Sequence, residues 1–147
     1  MALELDEVRR RIDVDEPDYS KLAAALGPEA IPLLTILVSD QSPAVASKAA
    51  YLLSMIPGPG VQDGLATAAQ SHNENVRLAA AAGLRNLEVP AKEALRSLFT
   101  DPDAGVRKVA LQSAEKVGAA TFRDEVEALA GSDPDEGLRS AARAVLE

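Results

Sequence analysis

"SDPDEGLRSAA" (residues 132–142) nearly repeats "TDPDAGVRKVA" (residues 100–110). The echo samples a period that runs through much of the chain. Val45, Val76, Val106 and Leu138 are spaced by 31, 30 and 32 residues. Ala49, Ala80, Ala110 and Ala142 keep this register, as do Leu53, Leu84, Ala114 and Leu146, and then Ile56, Leu87 and Val117. A second set runs Leu34, Leu65, Leu95 and Val126, with Leu37, Ala68, Leu98 and Leu129 beside it. Within each set, apolar residues recur three and four positions apart, which places them on one face of a helix. Each unit therefore holds two helices, A and B. Neither buries its face alone, and stacked neighbours build one continuous core.

The boundaries carry their own chemistry. Three residues before each aligned Val or Leu stand Ser42, Asn73, Asp103 and Asp135. All four are N-cap types, whose side-chain oxygen accepts a first-turn N–H that has no helical partner. Pro43 suits the first helical position behind Ser42, where its missing N–H costs nothing. Glycine or proline follows each A helix, in "IPGPG" (56–60), "LEVP" (87–90) and "VGAA" (117–120), and forms the A-to-B turn. The spacing predicts helices over 3–12, 18–26, 29–39, 43–56, 60–70, 74–87, 91–99, 104–117, 121–130 and 136–146.

Composition agrees with packed helices. Of the 147 residues 47% are hydrophobic but only 3% aromatic, with no Trp, which argues against a sandwich or barrel. The net charge of −8 makes nucleic acid and anionic membranes poor partners. With no cysteine there is no disulfide framework, thiolate nucleophile or Cys-based metal site. The start, "MALELDEVRRRID", lacks the apolar core of a signal peptide. No apolar stretch approaches the roughly 18 residues of a membrane span. A soluble, cytoplasmic protein is expected.

"GPEAIPLLTILVSDQSPAVASKAAYLL" (27–53) and "LRSLFTDPDAGVRKVALQSAEKVG" (95–118) resemble HEAT-like repeats of the short kind seen in bacterial proteins and phycobilin lyase subunits. The resemblance extends over 28–147 and is weaker over 18–27. It implies an all-α, right-handed α-solenoid of about four to five helix pairs. The expected organisation is a single array over 1–147, with capping helices in 1–27 and regular A/B pairs in 28–147. It is specific for fold and nearly silent on function.

Several residues stand out. Arg77, Arg107 and Arg139 share one column, with Asp101 and Asp133 six residues before the last two and Asp40 at the equivalent turn. The column could bind an anion, or it could be an Arg–Asp ladder tying each A helix to its neighbour. The resemblance favours the ladder, and Ala46 should interrupt it. His72, in the turn "SHNEN", is the only histidine, so it reads as solvated and no metal site is expected. Tyr51 reads as packing with its hydroxyl at the rim. The "DEPD" (15–18) and "DPD" carboxylates read as turn and capping groups. No G-x-S-x-G, P-loop, H-E-x-x-H or EF-hand pattern is present.

In HEAT-like arrays the B helices usually line the concave face. Their non-core columns run Ile31, Gln62, Lys92, Arg123; then Pro32, Asp63, Glu93, Asp124; then Thr35, Ala66, Arg96, Glu127. Lys92, Arg96 and Arg123 could form a basic spot, unless Glu93, Asp124 and Glu127 neutralise them in exposed pairs. Gln62, Lys92, Glu93, Arg96, Arg123, Asp124 and Glu127 are thus candidate partner contacts. Helix 29–39 is apolar almost all round, so something should cover Leu33 and Ile36. The N-terminal stripe Leu5, Val8, Ile12 is the intramolecular candidate, with Arg9, Arg10 and Arg11 pointing elsewhere. A partner or second copy is the alternative. At the other end Ala142, Val145 and Leu146 cap the stack with no B helix behind them.

The expected function is a non-catalytic protein–protein interaction scaffold with no cofactor, acting as a monomer or weak homodimer. One alternative is an enzyme subunit of the lyase type. A DNA glycosylase on HEAT-like repeats is disfavoured by the acidity and the lack of Trp. A homo-oligomeric structural module is the other alternative.

Overall fold

Four polar side chains open the regular A helices. The Ser42 hydroxyl accepts the Val45 N–H at 3.3 Å, Asn73 Oδ1 the Asn75 N–H at 2.9 Å, Asp103 Oδ1 the Val106 N–H at 3.0 Å and Asp135 Oδ1 the Leu138 N–H at 2.9 Å. Each cap satisfies an N–H that the helix itself leaves open. These are the four residues expected from sequence.

The computed structural model describes residues 2–87 and 92–147, the side chains of 92–95 apart. Among the described residues all regular structure is helical: α1 (Leu5–Ile12), α2 (Tyr19–Leu26), α3 (Ile31–Leu37), α4 (Pro43–Ser54), α5 (Val61–Ala69), α6 (Glu74–Gly83), α7 (Lys92–Phe99), α8 (Ala104–Val117), α9 (Arg123–Ser132) and α10 (Glu136–Leu146). Short 3-10 turns lead into α3 and α9 and extend α6. The helix expected over 29–39 is thus shorter, because Pro28–Ala30 is wound more tightly. Gly60, at φ 93°, opens α5 in the left-handed region that glycine tolerates.

The helices form two layers. Helices α4, α6, α8 and α10 stack in sequence as the A layer, and α3, α5, α7 and α9 as the B layer. Each B helix also packs on the A helix that follows it. The chain is therefore an α-solenoid of stacked helix pairs. Leu34, Leu65 and Val126 fall on successive B helices and are fully buried, as are Ala49, Ala80, Ala110 and Ala142 in the A layer. Leu95 of the first column lies outside the described side chains. Small residues bring the A helices close: a Cβ on Gly83 would stand 2.8 Å from Ser54 Cβ. Ser113 Oγ donates to the Ala81 carbonyl at 2.5 Å, joining α8 to α6.

Helix α1 takes the place of a first A helix. It packs on α3 and α4 and buries Val8 and Ile12 completely. Helix α2 packs further along α4, where Tyr19 and Tyr51 meet edge to face with centroids 4.9 Å apart. The sequence placed Arg9 away from this contact. It instead turns onto α4's lead-in turn, because Asp40 offers it a carboxylate there.

That contact is the first rung of a ladder. Arg9 Nε and Nη2 donate to the two Asp40 oxygens at 3.2 and 3.1 Å. Arg77 Nε and Nη2 grip Asp101 at 2.7 and 3.2 Å. Arg107 Nε and Nη2 grip Asp133 at 2.8 and 3.1 Å, and this pair is buried. Each aspartate also accepts an N–H of its own turn, from Ser42, Asp103 and Asp135 respectively. Each arginine thus ties its A helix to the turn that leads into the next one, with the bidentate geometry that makes such pairs strong. Arg139 lacks a carboxylate among the described residues, so its expected rung is incomplete.

The break expected at Ala46 is present and extends to both partners. The turn position that carries aspartate elsewhere is Ser71, whose hydroxyl accepts the Asn73 N–H at 3.2 Å. Arginine and aspartate are absent together, so neither charge is stranded.

The rungs shift the titration of Arg9, Asp40, Arg77, Arg107 and Asp133. Burial pushes the Asp133 carboxyl up, but the Arg107 fork and the Asp135 N–H outweigh it and hold the group below the usual range. Asp40 is held low chiefly by its hydrogen bond from Arg9 and then by the Ser42 N–H. Hydrogen bonds to Asp101 and Asp133 raise Arg77 and Arg107 above their ordinary value.

Two predictions follow from the ladder. Asp133 and Asp40 bind protons less readily folded than unfolded. Their contribution is complete above the unfolded value of about 3.9 and is lost as pH falls through the lower folded values. Urea denaturation at near-neutral pH should find Asp133→Asn less stable by about 3 kcal/mol, since the buried Arg107 loses its partner. Repeated down an acid series, it should find the variant losing less stability than the parent. Ser71→Asp alone should destabilise, and Ala46→Arg with Ser71→Asp should recover at least about 1 kcal/mol of that loss in a double-mutant cycle.

Candidate functional site

Residues of the lead-in turns line grooves between the B helices. Between α7 and α9 lies a groove of about 650 Å³. Phe99 and Leu129 form its apolar floor and are almost wholly buried. Phe99 is held in place by Phe122, with ring centroids 6.0 Å apart. Pro102 and Pro134 close one end, above the Arg107–Asp133 rung. Ala128 is exposed within the groove, leaving room beside the floor.

The rim is charged. Arg96 Nε donates to Glu125 Oε1 at 2.7 Å, bridging α7 and α9 across the groove. Arg123 and Glu127 pair within α9 at 2.9 Å, four residues apart and both largely exposed. Asp124 is exposed on the rim and makes no ion pair among the described residues. An extended segment with an apolar side chain for the floor and a cation for Asp124 would match this surface.

The expected partner residues are distributed unevenly. Arg96 and Asp124 line the groove, and Arg123 and Glu127 lie on the same helix as Asp124. Of the expected neutralising carboxylates, Glu127 meets Arg123, Asp124 makes no ion pair among the described residues, and Arg96 finds Glu125, which lies outside the expected columns. The i, i+29 spacing of that pair is one repeat less a residue, which a search of cross-repeat charge pairs would have found. Gln62 is exposed on α5. Lys92 and Glu93 lie outside the described side chains.

Ile31 corrects its column: it was read as non-core but is buried, because α3 presses its start against the turn around Gly58 and Gly60. Leu33 is half-buried against the core, whereas Ile36 is 56% exposed. The N-terminal stripe does not cover Ile36, although α1 packs on both α3 and α4.

A second groove, of about 720 Å³, occupies the equivalent place between α3 and α5. Ala46 and Ser71 stand where the first groove has its rung, and exposed His72 lines its edge. Among the described residues no group of three His, Asp or Glu side chains is placed to hold a metal ion. No single described helix is long and apolar enough to cross a membrane.

Comparison with known proteins agrees with this architecture. The family described as HEAT repeats matches residues 62–147, more than half of the chain. No curated protein matches in sequence. Among solved structures the chain is similar to the complex of CpcE and CpcF of phycocyanin lyase from Nostoc sp. PCC7120, with a TM-score of 0.72 and 21% identity. That match covers 97% of this chain and 98% of the other. An engineered protein matches with a TM-score of 0.63 at 18% identity, over 97% of this chain and 77% of the other. A designed armadillo repeat protein in complex with the peptide (KR)4 matches with a TM-score of 0.59 at 19% identity, over 97% and 72%. At these identities the likeness is one of fold.

The exposed Arg123–Glu127 pair should contribute little to stability. Arg123→Ala is expected to cost less than about 0.5 kcal/mol by chemical denaturation. A larger loss would mean that Arg123 belongs to the structural framework and not to an available surface.

Proposed function

Because the chain belongs to the HEAT-repeat family, we propose that it is a non-catalytic scaffold that binds a partner protein through its B-helix grooves. The observation that carries this reading is the α7–α9 groove, which joins an apolar floor at Phe99 and Leu129 to the exposed carboxylate of Asp124. An apolar anchor with a charged rim is how protein interfaces concentrate affinity and select their partners. The partner segment is extended and carries basic side chains, in keeping with a net charge of −8. The designed armadillo relative holds a peptide of lysine and arginine, which supports this choice of partner chemistry.

A second reading makes the chain an accessory subunit of a lyase-type enzyme. The near-complete mutual coverage with the phycocyanin lyase structure favours it. Titration with a bilin distinguishes the two, since a lyase-type subunit would shift the pigment's visible absorption and a scaffold would not.

The scaffold reading is tested with a labelled (KR)4 peptide followed by fluorescence anisotropy at low salt. Binding should weaken as salt is raised, and should fall about tenfold or more in Asp124→Lys. Ala128→Arg, which fills the groove from an exposed position, should abolish it while leaving the helical circular dichroism unchanged. Equal binding to the parent and both variants would remove the groove as the site.

A further inference from the structure

The joint of α4 with α6 is built without ions, and the other joints show what an arginine would do there. In each complete rung the arginine Nη2 donates to the same aspartate oxygen that accepts the turn's N–H, namely Asp40 Oδ2, Asp101 Oδ1 and Asp133 Oδ1. Arg77, Arg107 and Arg139 also send Nη1 to the carbonyl six residues earlier, on Ser71, Asp101 and Asp133, at 2.9, 2.8 and 2.7 Å. At Ala46 both kinds of acceptor remain without the arginine. The carbonyl six residues before Ala46 is that of Asp40, and among the described residues it receives no hydrogen bond. Ser71 Oγ accepts the Asn73 N–H at 3.2 Å, as the aspartate oxygens accept theirs, so it stands where Nη2 is directed in the other rungs.

The space is open as well. Asp40, Ala46 and Ser71 all line the α3–α5 groove of about 720 Å³, whereas Arg107 and Asp133 close the corresponding end of the α7–α9 groove. Val38 and Val76 line the same groove, each almost wholly buried, and give an aliphatic stem apolar surface to lie on. The neighbouring arginines are already engaged, Arg9 on the Asp40 carboxylate and Arg77 on Asp101 and the Ser71 carbonyl. A planar guanidinium spans two acceptors at a fixed separation, which the single nitrogen of an ammonium does less well.

The geometry points to this corner of the α3–α5 groove as a socket for an arginine side chain carried by a partner protein. The guanidinium enters from the groove, Nη1 donates to the Asp40 carbonyl and Nη2 to Ser71 Oγ, and the stem lies against Val38 and Val76. A partner arginine thus completes the ladder from outside. The net charge of −8 favours the approach of such a segment. With a hydroxyl in place of a carboxylate the contact is weaker than an internal rung, and it selects arginine over lysine by shape more than by charge. The inference rests on the reading that the B-helix grooves receive a basic segment, and adds a second point of contact two repeats from the α7–α9 groove.

The test follows the nitrogen-15 spectrum of the full chain at low salt while a blocked peptide with one arginine among alanines is added. The Ser71, His72 and Asn73 amides should shift saturably, and the lysine counterpart of the peptide should bind about tenfold more weakly. Ser71→Asp, which supplies the carboxylate of a complete rung, should bind the arginine peptide about tenfold more tightly. Ala46→Arg, which fills the socket from within, should abolish the response. Asp124→Lys, which removes the α7–α9 site, should leave it unchanged, so that failure of that groove and failure of the socket are told apart. Static amides at 71–73, equal responses to the arginine and lysine peptides, or a full response in Ala46→Arg would overturn the proposal. So would tighter binding of free arginine than of the blocked peptide, which would assign the socket to the amino acid.

Discussion

The bidentate contact between an A-helix arginine and the next lead-in aspartate fixes the joints of α1 with α4, α6 with α8 and α8 with α10. Packing of apolar faces supplies the larger driving force, but it is not directional. Alanine-rich surfaces such as those of α4, α6 and α8 could slide by a turn with small loss of contact. A planar fork closed on a carboxylate cannot slide. The aspartate is itself fixed by an N–H of its own turn, and the same turn supplies the N-cap of the helix that follows. One short segment therefore starts a helix, positions it against its predecessor and anchors the joint.

This explains why the fold was so legible. The caps Ser42, Asn73, Asp103 and Asp135 and the column arginines are local, repeated signals, and repetition separates them from chance. The Ala46 break could be read because a column makes an absence visible. The less regular parts were harder. Arg9 belongs to a short helix outside the period, so nothing in its spacing revealed that it grips Asp40. Ile31 looked like a surface position because its column was averaged with Gln62 and Arg123. In fact the glycine turn at 58–60 brings backbone against it, a contact made across one repeat and invisible to a column.

The groove was only partly foreseeable. Arg96, Arg123, Asp124 and Glu127 were identified as B-helix surface residues from register alone. The pairing of Arg96 was not, because Glu125 lies one position away from the columns considered, and a one-residue shift on a helix turns the side chain by about a quarter of a turn. In the floor, Leu129 belongs to a core column and Phe99 follows that column's Leu98. Sequence periodicity reports that such residues are buried, but not that a gap between neighbouring helices leaves their edges accessible.

The joint at Ala46 and Ser71 has a consequence for how such arrays are assembled. Everywhere else among the rungs, exchanging one repeat for a foreign one would demand a matching arginine or aspartate on the newcomer, or leave a desolvated ion behind. Here the seam is electrically blank on both sides. Modules can be grafted at this point without charge matching, and the halves on either side are free to diverge independently.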